Sequence, residues 1–246
     1  MKNAIIITAR TSSSRLHGKI LKKIGKKFKA IDILIMRAKK INLPIILATT
    51  KSKSDNKLYN YVKKKHKINI FRGDNMNKLN RWYKCFIKFK IKNAAIIDGD
   101  DIFFNYEIYK KQIKNVNNCE IISAPKKMIT GLFTHIITLK ALKKMKHLFQ
   151  KNIDSEMIEP FIKKTKLKRK LIKTKNIFQS KKVRLTLDYA EDLKVLSIIV
   201  DKFGPYVKNE KIVNFLMKNK NISRLNYFRE NYWKKNQLKK INLLAI

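Results

Sequence analysis

The chain has 246 residues, of which 44% are hydrophobic, so it is long enough to bury a substantial core. No apolar run approaches the ~20 residues that a membrane-spanning helix needs, and the N-terminus lacks the pattern of a signal peptide. We therefore expect a cytoplasmic protein without a membrane span. The two cysteines and four histidines have no metal-binding spacing, which excludes a disulfide framework and a zinc site.

The formal net charge is +42, from 59 Lys and Arg residues against 17 Asp and Glu residues. Lysines occur along the whole chain, whereas a nucleic-acid-binding protein usually concentrates them on one element together with aromatic residues. We therefore expect only weak, sequence-independent binding to nucleic acid at low salt. A dedicated nucleic-acid-binding module is the non-enzymatic alternative.

Strands and helices alternate along the chain. In the first half, the predicted strands cover residues 4–8, 44–49, 68–71, 94–98 and 119–123, and the predicted helices cover 30–42, 55–65 and 76–91. In the second half, the predicted strands cover 132–138, 170–174 and 183–187, and the predicted helices cover 139–149, 155–164, 190–203, 209–217 and 222–237. This alternation indicates an α/β protein with a mainly parallel mixed sheet flanked by helices. Such sheets bind ligands at the carboxyl ends of their strands.

The first strand is followed by residues 9–19, which read Ala-Arg-Thr-Ser-Ser-Ser-Arg-Leu-His-Gly-Lys. Backbone N–H groups and serine hydroxyls in such a loop can bind phosphate, and Arg10, Arg15 and Lys19 add three positive charges. The loop is not a P-loop, because the glycine spacing and the Ser or Thr after the lysine are absent. Phosphate binding is the functional interpretation, and a chance cluster of cations in a lysine-rich chain is the alternative.

Carboxylates follow two other predicted strands. Residues 98–101 read Asp-Gly-Asp-Asp, and Asp188 ends the strand predicted over 183–187. Aspartates at two strand ends that face one loop of cations would form a site for a divalent metal and a triphosphate. An Asp-rich turn is the alternative for residues 98–101. Glu191 and Asp192 are explained by their place in the first turn of a helix, where acids are favourable.

These motifs resemble the cytidylyltransferase family, which includes the spore-coat-polysaccharide-type nucleotidyltransferases and, more distantly, the acylneuraminate and 3-deoxy-manno-octulosonate cytidylyltransferases. The family's opening motif, A-R-x-x-S-S-R-L-P-G-K, is similar to residues 9–19, and its R-L-T-V-D-T-P-E-D-L motif is similar to residues 184–193. Weaker matches lie at 71–73, 79–82, 99–100 and 156–162. Order and spacing agree over about residues 4–200.

The resemblance implies a GT-A-like nucleotide-diphospho-sugar transferase fold. The implied enzyme is a CTP-dependent nucleotidyltransferase that forms a CMP-sugar and releases pyrophosphate, for surface polysaccharide or glycoconjugate biosynthesis. Its partners would be CTP and a sugar or sugar-acid acceptor. We expect residues 1–205 to form the nucleotidyltransferase domain and residues 206–246 a helical extension packed on it.

The resemblance also implies roles for individual residues. The implied catalytic residues are Arg10, Lys19, Asp100 and Asp188, the two aspartates being the ligands of a Mg²⁺ cofactor. The implied nucleotide-binding residues are Ala9, Arg10, Ser13, Ser14, Arg15, Gly18, Lys19, Arg72, Gly73, Arg81 and Gly99. On the acceptor side, the implied substrate-binding residues are His135 and Glu156.

The sequence departs from the family pattern in places. His17 replaces a proline, His135 stands where a glutamate is usual, and Met157 stands where a histidine is usual. An altered acceptor pocket, or an inactive or repurposed enzyme, therefore stays open, as do the acceptor, the nucleotide base and the formation of a homodimer. The second enzyme alternative is a metal-dependent glycosyltransferase that uses residues 98–100 as its D-x-D motif, but it gives residues 9–19 no role.

Overall fold

The computed structural model describes residues 2–148, 154–180 and 182–243. The strands are β1 (Asn3–Thr8), β2 (Lys23–Ile24), β3 (Phe28–Lys29), β4 (Ile45–Thr50), β5 (Asn69–Gly73), β6 (Asn93–Asp98), β7 (Ile121–Ser123), β8 (His135–Thr138) and β9 (Arg169–Leu171). The helices are α1 (Ala30–Lys39), α2 (Asn56–His66), α3 (Lys78–Lys88), α4 (Tyr106–Gln112), α5 (Leu139–Met145), α6 (Glu159–Lys164), α7 (Ala190–Phe203), α8 (Asn209–Lys218), α9 (Lys220–Tyr227) and α10 (Arg229–Leu243).

The main sheet has the strand order β5-β4-β1-β6-β8-β7-β9, and β2 and β3 form a separate small hairpin. Strand β1 lies between β4 and β6 and is parallel to both. Strand β8 is antiparallel to β6 and to β7, which makes the sheet mixed. The predicted α/β class and the mainly parallel mixed sheet are thus confirmed.

Both faces of the sheet are buried, and the alternation of side chains along β1 shows why. Ile5 and Ile7 point into one core, whereas Ala4 and Ile6 point into the other. Helices α1, α7 and α8 cover the first face, and α3, α5 and α6 cover the second. A strand that is buried on both sides is mostly apolar, and for this reason residues 4–7 of β1 are a continuous apolar run.

The segment predicted as a strand over residues 183–187 is not a strand in the structure, so that prediction was wrong. The segment is extended, but the Leu185 N–H donates to the carbonyl of Thr130 at 3.0 Å, and the Leu187 N–H donates to the carbonyl of Asp100 at 2.8 Å. Its hydrogen bonds therefore join two loops at the carboxyl end of the sheet rather than a neighbouring strand.

Other differences concern element ends. The single helix predicted over 222–237 is two helices, α9 and α10, separated at Phe228. The helix predicted over 155–164 begins only at Glu159, and helix α4 was not predicted. Residue 149, the predicted end of another helix, lies outside the described residues, as does residue 1.

The start of α8 and the segment before it are joined to α1 through a buried arginine. The Arg37 guanidinium donates to the carbonyls of Pro205 and Val207, each at 2.9 Å, and to Asn209 Oδ1 at 2.9 Å. The division of the chain after residue 205 stays a prediction. Across the described ranges, the helices are too short or too polar to cross a lipid bilayer.

Candidate active site

A cleft of about 1180 Å³ opens at the carboxyl ends of β1 and β6. The two strand ends approach each other closely, since the Gly99 N–H donates to the Thr8 carbonyl at 2.8 Å. A Cβ atom on Gly99 would lie 2.9 Å from the Cβ of Ala9, so only glycine permits this approach. Ala9 and Gly99, two of the predicted nucleotide-binding residues, therefore form the floor of the cleft.

The loop of residues 9–19 is held by its own Thr11. The Thr11 carbonyl accepts hydrogen bonds from the N–H groups of Ser13 and Gly18, at 3.0 and 3.1 Å. Gly18 has a φ of +63°, a left-handed conformation that glycine adopts without strain. The buried carboxylate of Asp55 in turn accepts from Thr11 N at 2.6 Å and from Thr11 Oγ1 at 2.7 Å. The loop is thus closed internally and fixed to the segment after β4.

At the end of this loop, cations and carboxylates form one cluster. The Lys19 ammonium lies 2.8 Å from Asp100 Oδ2 and 2.8 Å from Asp188 Oδ1. The Arg15 guanidinium lies 2.6 Å from the same Asp188 oxygen. Arg15 and Asp188 are 173 residues apart in the sequence. Folding therefore brings the predicted phosphate-binding cations against both predicted metal aspartates.

The charges of this cluster shift its pKa values in opposite directions. Burial would raise the pKa of Asp188, but Lys19 and Arg15 outweigh this effect and lower it to about 2. Burial would lower the pKa of Lys19, yet Asp100 and Asp188 raise it above its usual value. Burial raises the pKa of Asp100, and the carboxylates of Asp188 and Asp98 add to that rise against the opposing charge of Lys19. Asp188 is therefore fully ionised at neutral pH.

The oxygen donors on this side of the cleft suit a Mg²⁺ ion. Carboxylate oxygens of Asp98, Asp100 and Asp101 lie within 4.8 Å of one another. Burial raises the pKa of Asp101 well above its usual value, and the charges of Asp100 and Asp98 raise it further. Such crowding of negative charge favours a divalent cation, and hard oxygen ligands are those that Mg²⁺ prefers. The Lys19 ammonium lies between Asp100 and Asp188, so a positive charge already occupies the space between the two predicted Mg²⁺ ligands.

A buried arginine holds the segment that carries Asp188. Arg184 Nη2 donates to Asp188 Oδ2 at 3.1 Å, and Arg184 Nε donates to Asp192 Oδ1 at 3.0 Å. Asp192 Oδ2 also accepts hydrogen bonds from the backbone N–H groups of Asp188 and Tyr189. Asp192 therefore caps its helix, as the sequence indicates, but it is in addition the buried ion-pair partner of Arg184.

The two predicted acceptor-side residues both line the cleft. His135 Nδ1 lies 3.0 Å from Ser123 Oγ, and burial lowers the pKa of the imidazole to about 3, so His135 is neutral at pH 7. Glu156 Oε2 lies 3.4 Å from Arg10 Nη2. Arg10 thus spans the cleft between the loop and the acceptor side.

Three of the predicted nucleotide-binding residues do not line the cleft. Gly18 closes the loop through its left-handed backbone conformation and its hydrogen bond to the Thr11 carbonyl. Arg72 donates to the carbonyls of Thr50 and Ser52, at 2.9 and 2.8 Å, so its guanidinium supports the β4–α2 connection. A Cβ on Gly73 would lie 2.9 Å from the Cγ of Arg81, so Gly73 provides packing space.

The remaining predicted residues do line the cleft, and they are Ala9, Arg10, Ser13, Ser14, Arg15, Lys19, Arg81, Gly99 and Asp100. Arg81 donates to the Asp74 carbonyl at 2.7 Å, and burial lowers its pKa to about 10. Asp188 lies beneath Arg15 and Lys19, with 1% of its side chain exposed.

Other residues of the cleft were missed from the sequence. Lys78 lies 2.9 Å from Asp98, and its position shortly after β5 was a signal that strand-end reasoning could have used. Lys126 and Lys127 line the cleft from the loop after β7, and Lys234 lines it from α10. These three lysines had no local signal, because lysine is frequent throughout the chain.

Known proteins are similar to this chain in sequence and in fold. An uncharacterized protein of Methanocaldococcus jannaschii is 30% identical to this chain over 233 residues, which cover 92% of this chain and 95% of the relative. A cytidylyltransferase from Leptospira borgpetersenii has a similar structure, with a TM-score of 0.79 and 22% identity over 90% of this chain and 96% of its own.

A second similar structure is that of a CMP:2-keto-3-deoxy-manno-octonic acid synthetase complexed with CTP. Its TM-score is 0.62 and its identity is 12%, over 82% of this chain and 99% of its own. The structural matches confirm the predicted GT-A-like fold. A family model described as cytidylyltransferase matches residues 4–237. Because this model covers most of the chain, we conclude that the chain belongs to the cytidylyltransferase family and is a nucleotidyltransferase.

Proposed function

We propose that the protein transfers the cytidylyl group of CTP to a hydroxyl of a sugar or sugar acid, for surface polysaccharide or glycoconjugate biosynthesis. Use of CTP in nucleotidyl transfer follows from the family, and the acceptor and the pathway are the proposed part. The observation that carries the proposal is Lys19, whose ammonium lies 2.8 Å from both Asp100 and Asp188 beside the serine-rich loop. The cleft has the volume that a nucleotide and a small acceptor need.

In this proposal the loop binds the triphosphate. Arg15 and Lys19 would contact the β- and γ-phosphates, and the serines of residues 12–14 line the cleft beside them. Arg15 Nε is a buried donor without a hydrogen-bond partner among the described residues, and a phosphate oxygen would satisfy it. These positive charges would stabilise pyrophosphate as it leaves.

Asp100 and Asp188 would hold Mg²⁺. When bound, the ion would neutralise charge on the phosphoryl group and on the departing pyrophosphate. The acceptor hydroxyl releases its proton to water, its oxygen forms a bond to the α-phosphorus, and the bond from that phosphorus to the bridging oxygen of pyrophosphate breaks. This in-line step needs positioning and charge neutralisation from the protein, and it needs no protein nucleophile.

The acceptor would lie between His135, Glu156 and the lysines of the loop after β7. His135 is neutral at pH 7, so its imidazole can donate a hydrogen bond to a hydroxyl group or accept one from it. Lys126 and Lys127 are exposed to the cleft and favour an acceptor that carries a carboxylate, which is the chemistry of a sugar acid.

A thermal-shift panel tests the nucleotide. CTP, UTP, ATP, GTP and a UDP-sugar are each added with and without Mg²⁺. CTP with Mg²⁺ is expected to stabilise the protein most, by about 2.7 kcal/mol at a hundredfold excess over Kd. Pyrophosphate release with a pool of candidate sugar acids then identifies the acceptor.

The outcomes separate the alternatives. Equal shifts for all polyphosphates would reduce the observation to charge binding, and stabilisation by the UDP-sugar alone would favour the glycosyltransferase alternative. Pyrophosphate release should fall by several orders of magnitude in Asp188→Asn, because Mg²⁺ loses a charged ligand. Glu107→Gln, at an exposed residue that does not line the cleft, should keep wild-type turnover.

A further inference from the structure

Helix α10 forms one wall of the cleft, and although the sequence predicts a helix over 222–237, it does not predict this position. Asn231, Lys234 and Gln237 of this helix line the cleft. Glu230, in the first turn, also lines the cleft, although only 13% of its side chain is exposed. The helix therefore contributes a half-buried carboxylate as well as exposed polar side chains to the cleft.

Glu230 makes two hydrogen bonds that join separate parts of the site. Its Oε2 accepts from Arg184 Nη1 at 2.8 Å, and its Oε1 accepts from Thr130 Oγ1 at 2.8 Å. The Arg184 guanidinium is fully buried and also donates to Asp188 and Asp192. One planar cation is thus shared by three carboxylates, two from the segment before and at the start of α7 and one from α10.

This sharing has two consequences for Asp188. The planar guanidinium fixes the orientation of the Asp188 carboxylate, since Oδ2 is bound to Arg184 and Oδ1 faces Lys19. The negative charge of Glu230 also offsets part of the positive charge of Arg184. Without the charge of Glu230, more of the positive charge of Arg184 would act on Asp188 and weaken it as a cation ligand.

We propose that Glu230 is a positioning residue that acts through Arg184 to orient Asp188 and to keep its negative charge available to the metal. This inference rests on the proposed function, in which Asp188 is a ligand of Mg²⁺. It makes α10 part of the catalytic apparatus rather than a helix that only covers the cleft. Partners of a metal ligand typically change metal affinity by about 10- to 100-fold when they are removed.

The test compares two substitutions in neighbouring ion pairs. Glu230→Gln removes the charge that faces Arg184. Glu191→Gln removes the carboxylate charge that lies 2.6 Å from Arg229, a residue of α10 like Glu230. Glu191 does not contact Arg184. Binding of Mn²⁺, as a probe for Mg²⁺, is measured by electron paramagnetic resonance on the full chain with CTP present. CTP affinity without metal and the melting temperature are measured in parallel.

Glu230→Gln is expected to raise the Kd for Mn²⁺ about tenfold or more, with CTP affinity without metal unchanged. Glu191→Gln is expected to leave the Kd for Mn²⁺ within about twofold of the wild type, even though α10 loses one attachment. A purely structural role of Glu230 would instead lower the melting temperature in both variants and leave the Kd for Mn²⁺ equal.

Thr130→Val provides a second variant if Glu230→Gln does not fold. It removes the hydroxyl that fixes the Glu230 carboxylate but leaves the charge, and a smaller rise of about threefold in the Kd for Mn²⁺ is expected. An unchanged Kd in the folded variants, with wild-type protein that binds Mn²⁺, overturns the inference alone. Wild-type protein that binds CTP but no Mn²⁺ overturns the proposed metal role of Asp188, and the inference with it.

Discussion

Removal of the charge of Asp188 should lower the stability of the protein by an amount that the structure allows us to calculate. Folding lowers the pKa of Asp188 from its ordinary value of 3.8 to about 2. Each pH unit of such a difference corresponds to about 1.4 kcal/mol, and 1% of the side chain is exposed, so screening by solvent is small. Asp188→Asn should therefore reduce the free energy of unfolding by about 2 kcal/mol at pH 7.

The pH dependence gives this prediction its sign. Because the pKa of Asp188 is lower in the folded state, its contribution is complete above the unfolded value of 3.8 and is lost as the pH falls through about 2. The difference between wild type and variant should thus shrink to about 1 kcal/mol at pH 3. Urea denaturation followed by circular dichroism, at pH 7 and at pH 3, measures both values.

Glu107→Gln is the matched control, since it makes the same change of charge at a carboxylate that is 47% exposed and 3.9 Å from Lys208. It should change the free energy of unfolding by less than about 1 kcal/mol at either pH. A loss in Asp188→Asn that is equally large at pH 7 and at pH 3 would refute the electrostatic explanation and indicate lost packing. An unchanged denaturation midpoint would show that Asp188 is not held by Lys19 and Arg15 in solution.

Three further predictions concern the phosphate-binding cations, the anchor of the loop and the net charge of the chain. Arg15→Ala and Lys19→Ala should each weaken CTP binding about tenfold or more, because each removes a charge-assisted contact, and each should slow pyrophosphate release. Isothermal titration measures the binding and a pyrophosphate assay measures the turnover. Wild-type values in either variant would contradict the phosphate assignment. Asp55→Ala should raise the KM for CTP, because the Thr11 donors that fix the loop lose their acceptor. Asp55→Asn keeps an acceptor oxygen and should restore most of the affinity. Equal KM values in the two variants would count against this loop anchor. Binding to a nucleic acid of any sequence should collapse between ~50 and ~200 mM salt, as measured by fluorescence anisotropy, and selective binding that survives in this range would indicate a dedicated site.

Local sequence was sufficient to predict most of the sheet and the loop that follows β1. A strand buried on both faces is mostly apolar, so the continuous apolar run of residues 4–7 made β1 visible, and the serines and cations that follow were expected at its carboxyl end. Helix α3 was visible because its apolar residues recur on one side. The residues 98–101 could be placed by the same rule, because β6 is parallel to β1.

The tertiary structure decided what local patterns could not. Residues 183–187 alternate like a strand, but the available partners were the carbonyls of two loops, so no strand formed. Arg72 matched a nucleotide-binding motif, yet its guanidinium binds the carbonyls of Thr50 and Ser52. Glu230 reaches Arg184 across 46 residues of sequence. Periodicity determines which face of an element is buried, whereas the partner of a buried charge depends on how distant elements pack, and that is why the loop was visible in the sequence and the network around Asp188 was not.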